Sequence, residues 1–548
     1  MVKERALPLF EEETPAIPAD LKPEISPYIA ITGHVELTQL EKELVDHPDF
    51  QRLRRLKQLG TSYLVFPSAV HTRFDHSLGC LSRLNEMIVS IRTNPASEGK
   101  QNHISEDEER LTRLVALLHD VGNLPFGHTL EDETRVIKEN QDSRDRYLRI
   151  LDKTKEGGLG EILVRYLGSR GFEQLMEFLT TSEKDVHNLK EKAFVTDLVK
   201  NTLCADLLDY LWRDPYFSGL PYRVGDDFLR YLYLDDVVNE TGEVARRPIV
   251  RVWKEESQRH RRDTLRELID LLHLRYTLGE TIYFHHAKLA SGAMLGRAVY
   301  EALTFPNGKK PLSVELLLQM GDEDLLRHII EFENGISSML GEMIWNRKIY
   351  KRGWSYDASR NEAGRWNPKK ELLVYRDPEK RILMEKELAD RAGLKNGEVL
   401  LYCPDPKMAL KAAKMWILWR GKETLMENVD DEPSKHRIES IQESHSALWT
   451  FWVFVHPDVS AEKLEELKIW CEEFRTGEIP TEAVDNEILK KAVAAQLTAE
   501  DTAIVTKKLQ AALVEGKGTR STGTRYNLMK FIDDEIKDQS KRRKKPRT

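Results

Sequence analysis

Residues 114–132 read LVALLHDVGNLPFGHTLED. An apolar run of helical character ends in the adjacent pair His119 and Asp120, followed by Gly122, Pro125 and a second histidine, His128. Gly and Pro stop a helix, so the pair sits at a helix end rather than along its side. Two metal-binding side chains at such an end are either a capping pair or half of a metal site. The polar but non-ionisable Asn123 close by makes the question sharper.

The surrounding composition narrows the choice. The chain has 548 residues, 40% apolar and 32% charged, which fits a large, mainly α-helical core with appended units rather than a disordered chain. The formal net charge of -8 excludes a general polyanion binder, so any grip on phosphate must come from local Arg, Lys, His or metal. Four cysteines, Cys80, Cys204, Cys403 and Cys471, are scattered without a CxxC pair, so neither a disulfide framework nor a zinc ribbon is implied. MVKERALPLFEEETPAIPAD lacks the apolar core of a signal peptide, and no run approaches a membrane span. A cytoplasmic protein without a membrane partner is expected.

Along the chain, residues 1–27 are acidic and Pro-rich and predict a flexible arm. Helical periodicity follows in 43–59, 78–92, 107–121, 193–214, 257–274, 279–303 and 323–346. YLYLDDVVNETGEVARRPIVRVWK (231–254) reads instead as a hairpin around NETGE. After the Gly- and Arg-rich stretch 350–370, ELLVY, EVLLYCP and LWTFWVFVHP predict strands beside helices KMALKAAKMWILW and AEKLEELKIWCEEF. A small α/β unit is therefore expected over 371–476. Residues 477–548 predict a helical extension, a GKGTRSTGTR link and a basic tail, KRRKKPRT.

Three further stretches join the first in carrying chemistry. They are FQRLRRLKQLGTSYLVFPSAVHTRFDHSLG (50–79), CADLLDYLWRDPYFSG (204–219) and HLRYTLGETIYFHHAK (273–288). Asp206, Tyr210 and Asp214 recur at i, i+4 and i+8 and share one helical face. A carboxylate at one end of that face could complete a site of two histidines and two carboxylates. Such ligation without thiolate suits Mn, Fe, Zn or Mg, and a divalent ion there would polarise a phosphoryl oxygen and acidify a water. Each segment alone has a plainer reading, as a helix cap, a solvated helix residue or core packing. Their combination favours the metal.

Together the segments resemble the HD-domain deoxynucleoside triphosphate triphosphohydrolases. QLGTSYLVFPSAVHTRFDHSLG resembles that family's first metal-histidine segment, LLHDVGNLPFGH its HD segment and DLLDYLWRD its last-aspartate helix; no GYP segment of cyclic-dinucleotide phosphodiesterases is present. The similarity runs over roughly 45–300, and more weakly over 385–475. The resemblance implies an HD-domain catalytic core over 28–350, with a hairpin insertion and the smaller C-terminal unit. It implies that His76, His119, Asp120 and Asp206 hold one metal, with additional Mg carried on the nucleotide phosphates. Arg73 and Arg275 would contact those phosphates through planar hydrogen-bond forks. Gln58 and Leu59 would line the sugar, Asp214 would read the 3′-hydroxyl, and Tyr210 would pack at the 2′ position. Tyr283, His285 and His286 would form the far wall, and His128 and Glu131 would serve the proton relay.

The chain departs from that pattern in three places. Asn123 stands where the family has a catalytic histidine, and general acid–base groups contribute ~10²–10⁴-fold. Leu207 and His286 stand where phosphate-binding lysines are expected. The expected reaction is hydrolysis of a dNTP to deoxynucleoside and triphosphate, limiting nucleotide pools, for example against phage. A 5′-nucleotidase or phosphodiesterase on another phosphorylated substrate is the alternative, and a catalytically quiet nucleotide sensor is the alternative of another class. The resemblance further implies a homo-oligomer (dimer, tetramer or hexamer) with a regulatory nucleotide. RRPIVRVWKEESQRHRR (246–262) reads either as that regulatory site or as a solvated helix start. The terminal KRRKKPRT is either a nucleic-acid contact or a solubilising tail.

Overall fold

Thr72 and Ser105 decide where the two central helices begin. The structure is a computed structural model that describes residues 25–94, 103–139, 142–182, 184–239, 242–254, 257, 259–304, 312–332, 335–357, 375–403 and 414–476. The expected extension and tail over 477–548, and most of the arm over 1–27, lie outside those residues. In helix α1 (Arg73–Thr93), the Thr72 hydroxyl accepts from the Asp75 amide at 3.3 Å while Asp75 accepts from the Thr72 amide at 3.1 Å. In helix α2 (Glu106–Leu118), Ser105 and Glu108 make the same reciprocal pair at 3.3 and 2.9 Å. Each box satisfies two amides that a helix start leaves open. The acidic first turn of α2, Glu106 to Glu109, complements the helix dipole. The caps set the phase: His76 falls in the first turn of α1, and His119 directly follows the last residue of α2.

The fold is mainly α. Leu78, Leu81 and Leu84 of α1 meet Leu114, Val115 and Leu118 of α2 in one apolar cluster. Helices α3 (Ala193–Lys200) and α4 (Ala205–Ser218) close over it with Leu198, Leu208 and Leu211. The single helix expected over 193–214 is thus two. Asn201 and Cys204 have extended backbones, and the Cys204 sulfur accepts from the Leu207 amide at 3.4 Å to start α4. Asp206 thereby lands in a first turn. Helices α5 (Arg262–Leu278), α6 (His286–Thr304) and α7 (Asp322–Ile330) follow, with a π turn at Gly279–Tyr283 between α5 and α6.

The hairpin is present as strands β1 (Leu232–Val238) and β2 (Val244–Arg251), paired from Leu232–Val250 to Val238–Val244. The helix expected over KMALKAAKMWILW is corrected where it is described: Trp416–Trp419 is strand β3, parallel to β2, and β4 (Lys422–Leu425) extends the sheet. An aromatic and β-branched run fits a pleated surface, and the open edge of β2 supplies the partner. Helix α8 (Glu432–Ala447) packs on α5. Residues 406–448 accordingly group with the first unit, which runs to Arg347, and not with the second. That second unit, described over 348–357, 375–403 and 449–476, has an antiparallel sheet in which Thr450–Val455 lies between Lys351–Asp357 and Val399–Tyr402. Helices Pro378–Arg391 and Ala461–Thr476 accompany it. EVLLYCP and LWTFWVFVHP form strands as expected; ELLVY falls outside the described residues except for its last, Tyr375.

Gly79 sets the approach of α1 to α4, because a Cβ there would collide with the Asp209 carboxylate and the Arg213 guanidinium. Gly79→Ala is expected to destabilise the protein by about 1–3 kcal/mol through overpacking. Urea unfolding of the variant, compared with the parent, measures it.

Candidate metal centre

Four expected ligands from three helix ends meet at one place. His76 Nε2 lies 3.0 Å from Asp206 Oδ1 and 3.8 Å from Asp120 Oδ2. His119 Nε2 lies 3.7 Å from Asp120 Oδ1 and 4.0 Å from Asp206 Oδ1. His76, His119 and Asp120 are buried, while Asp206 keeps one third of its side chain exposed. The cluster therefore opens toward solvent on the α4 side.

The opposite ring nitrogens explain the orientation. His76 Nδ1 sits 2.8 Å from Asp209 Oδ2, and His119 Nδ1 sits 2.8 Å from the Ala116 carbonyl. With Nδ1 turned outward in both, both Nε2 atoms face the cluster, the orientation that metal-binding histidines adopt. His119 Nε2 has no hydrogen-bond partner among the described residues although it is buried. An orphaned acceptor aimed at two carboxylates fits a divalent cation. The carbonyl end of α2 beside it also favours positive charge.

Charge in the cluster is tightly coupled. Burial disfavours ionisation of Asp120, yet Arg73, His119 and His76 hold its carboxyl well below the ordinary range. Burial likewise opposes charge on His76, yet the Cys80 sulfur, Asp206 and Asp209 raise it well above the usual histidine value. Without another cation, the site keeps a proton where two carboxylates converge.

The remaining expected residues divide into groups. Arg73 is buried and donates to Asp120 Oδ2 at 2.7 Å and to the Gln58 carbonyl at 3.4 Å; its Nε has no partner among the described residues. Gln58 Oε1 is also buried without one, and Leu59 packs half-buried on the core. Asn123 donates its amide to Asp120 Oδ1 at 2.5 Å, so it fixes that carboxylate and is not itself titratable. A second group surrounds Asp214, which lies 2.9 Å from His71 Nε2 and accepts from the Tyr283 hydroxyl at 2.7 Å. Burial, then the neighbouring carboxylate, raises the Tyr283 phenol far above its ordinary value. Burial raises Tyr210 too, against the Arg275 charge, so both phenols stay neutral donors. Arg275 Nη1 is buried with no partner among the described residues. The same charge, after burial, helps pull His445 down to about 4. His285 stacks on His286 at 4.6 Å and meets Phe66 edge-on at 5.9 Å.

The expected relay residues, His128 and Glu131, are each engaged with a partner of their own. His128 is half-exposed and pairs with Asp132 at 2.7 Å; burial opposes its charging but that bond raises it. Glu131 is buried against Arg146. Leu207 points into the apolar core.

Several positioning groups were not singled out in the sequence. Asp209 orients His76 and follows Asp206 by one helical turn. Arg52 donates to the carbonyls of Val121 and Asn123, both at 2.9 Å, and the Tyr147 hydroxyl to that of His119 at 2.6 Å. Asp322, at the start of α7, accepts from the amides of Phe126 at 2.7 Å and Lys57 at 2.9 Å. Phe126 and Gly127 are both left-handed, with φ of 61° and 58°, and a Cβ at Gly127 would press within 2.7 Å of Arg73 Nη2. The close turn after Pro125 thus needs glycine there.

With this geometry in place, comparison with known proteins decides the family. The HD domain family matches residues 73–199, from the first residue of α1 to near the end of α3, and the HD associated region matches 269–467. The chain thus carries an HD domain. Asp206 lies just beyond the HD match. The HD-domain protein is 29% identical to the deoxynucleoside triphosphate triphosphohydrolase SAMHD1 homolog of Dictyostelium discoideum, over 59% of this chain and 58% of that one. It is 28% identical to an uncharacterized protein of Methanocaldococcus jannaschii, over 60% and 59%. It is 26% identical to the human deoxynucleoside triphosphate triphosphohydrolase SAMHD1, over 51% and 46%. The chain thus spans about half to three fifths of the length of these relatives. No helix among the described residues is long and apolar enough to cross a membrane.

Asp322 allows a test of how the HD loop is held. Burial pushes its carboxyl up to about 6 from an ordinary 3.8, against the two amides and Lys57. The folded protein then binds this proton more tightly than the unfolded chain does. The contribution to stability is greatest below about pH 4 and declines as pH rises to about 6. Asp322→Asn removes that decline, so the stability of the variant relative to the parent should rise between pH 4 and pH 7. Denaturant unfolding at both values checks it; a pH-independent difference would refute the assignment.

Proposed function

We propose that this HD-domain protein is a metal-dependent phosphohydrolase that cleaves dNTP to deoxynucleoside and triphosphate. The observation that carries the reading is the convergence of His76, His119, Asp120 and Asp206, with both histidines turned Nε2-inward. A divalent cation held by these four would polarise a phosphoryl oxygen and lower the pKa of a water. The HD domain and the triphosphohydrolase relatives support the reaction class.

The chain's own residues then divide the work. Asn123 and Arg73 fix the two oxygens of Asp120, so that carboxylate cannot swing when a substrate enters. Arg73 Nε and Arg275 Nη1 remain as buried donors without partners among the described residues. They suit the negative charge of a phosphorylated group, which a preorganised donor stabilises most strongly where water is excluded. The neutral phenols of Tyr210 and Tyr283, with Asp214, offer a polar and aromatic wall suited to a deoxyribose. Half-exposed His128, paired with the likewise exposed Asp132, is the histidine of the loop in contact with solvent and can exchange protons with it. Assembly as a homo-oligomer under control of a second nucleotide belongs to the same reading.

A second reading has its own observation. Leu207 is buried in the core and Asn123 is engaged with Asp120, so two cationic or acid–base positions of the triphosphohydrolase pattern are unfilled. A 5′-nucleotidase or phosphodiesterase on another phosphorylated substrate needs fewer fixed cations. Incubation of the purified protein with Mn and each dNTP should release triphosphate. Release of orthophosphate or pyrophosphate selects the second reading. No turnover of any of them, with intact nucleotide binding, selects a sensor.

The positioning role of Asp209 gives an independent check. Asp209→Asn keeps an acceptor for His76 but weakens its hold, and metal affinity should fall about 10–100-fold, as for other outer-sphere partners. Equilibrium dialysis with Mn measures it, and the His119→Ala/Asp120→Ala double variant should bind no stoichiometric metal.

A further inference from the structure

His71, just ahead of α1, ties together residues from both ends of the substrate wall. Its segment runs antiparallel to residues 56–58. Lys57 bridges Thr72, the Gln58 amide donates to the His71 carbonyl at 2.9 Å, and the Arg73 amide donates to the Leu56 carbonyl at 2.8 Å. This short ladder sets Gln58 beside Arg73, whose guanidinium reaches the Gln58 carbonyl. Each of the two keeps a buried polar atom, Gln58 Oε1 and Arg73 Nε, without a partner among the described residues.

The side chain of His71 is fully buried and works at the other end of the wall. Its Nε2 lies 2.9 Å from Asp214 Oδ1, while Asp214 Oδ2 accepts from the Tyr283 hydroxyl at 2.7 Å. Asp214 and Phe217 are at i and i+3 on α4 and so share a face. Phe217 stacks on the imidazole with ring centres 4.8 Å apart, which keeps Nε2 turned to the carboxylate. An ionised carboxylate only accepts, and it has about four lone-pair positions. Nε2 therefore donates to it, and the bonds from His71 and Tyr283 leave positions that suit a hydroxyl.

We propose that His71 is a positioning residue of the substrate wall, orienting Asp214 so that its remaining lone pairs accept from a sugar 3′-hydroxyl. The proposal rests on the reading above, in which Tyr210, Tyr283 and Asp214 receive a deoxyribose. Without the ring, Asp214 keeps the Tyr283 hydroxyl and can turn about that bond. The loss then falls on substrates that carry the hydroxyl. His71 holds Gln58 through its main chain, which a side-chain substitution does not remove, so the ladder and Arg73 stay in place when the ring is changed.

The test gives the full-length chain, with Mn, each dNTP and its 2′,3′-dideoxy counterpart, which lacks that hydroxyl. In the parent, kcat/KM for the dNTP should exceed that for the dideoxy compound by ~10-fold or more, as for a hydrogen bond to a charged group. His71→Leu should bring the ratio close to unity. Metal affinity in equilibrium dialysis should stay at the parent value, because the His71 ring bonds to Asp214 and not to a proposed metal donor. His71→Gln, which retains a donor, should restore most of the ratio. His71→Leu combined with Asp214→Asn should lose no more than Asp214→Asn alone, since the pair acts as one unit. Equal loss on both substrates in His71→Leu, or a ratio it leaves unchanged, would overturn the assignment while the reaction stands. A parent ratio near unity, which needs no variant to fold, would do the same. If the parent releases triphosphate from neither substrate, the phosphohydrolase reading fails, and dissociation constants from equilibrium dialysis then supply the ratio. Binding of neither nucleotide would overturn both.

Discussion

The carboxylate of Asp209 holds two cationic partners at once, and the rest of the site depends on it. Its oxygens accept from Arg213 at 2.7 and 2.8 Å, and Oδ2 also meets His76 Nδ1 at 2.8 Å. Arg213 passes the connection to the Ala30 carbonyl and the Thr32 hydroxyl. Removing such charges from water costs several kcal/mol per ion and is offset only when their hydrogen bonds are satisfied. That condition explains the missing side chain at Gly79. The one point where α1 and α4 come close enough to seal Asp209 from solvent has no room for a Cβ. Packing, ion pairing and the tautomer of a metal-facing histidine are therefore one constraint.

The loop after α2 obeys the same logic through its backbone. Carbonyls at a helix end lack intrahelical partners, and here those of His119, Val121 and Asn123 are taken by Tyr147 and Arg52. Asp322 takes the amide of Phe126. These donors and acceptors come from segments far away in the chain, so the loop is fixed by the folded core. A site held on main-chain clamps keeps its ligands within the narrow tolerance that metal binding requires.

The legible part of this architecture was local. The His119–Asp120 pair, the hairpin at NETGE and the Asp206–Tyr210–Asp214 face are readable because their partners lie within one or two turns. Asp209, Asp322, Arg52 and His71 act across separations of 69 to 265 residues, and no local pattern distinguishes them from ordinary core or surface residues. Trp416–Trp419 shows the opposite failure. A short apolar run suits helix or strand equally, and only the exposed edge of β2 decides between them.

Asn123 gains its sense from this electrostatic setting. Asp120, which it holds, belongs to a cluster with Asp206 and Asp209, whose carboxylates face Arg73, Arg213 and a His76 that its neighbours raise well above the usual histidine value. A third ionisable ring next to Asp120 would compete for the carboxylate oxygen with whatever cation the site takes up. A neutral amide fixes Asp120 Oδ1 at the same distance without adding charge or a proton equilibrium. Asn123 is no acid–base group, and in the proposed reaction proton transfer falls to another residue. His128, half-exposed and paired with Asp132, is placed for exchange with solvent. In the proposed reading Asn123 contributes a fixed Asp120 carboxylate, and the proton comes from another residue.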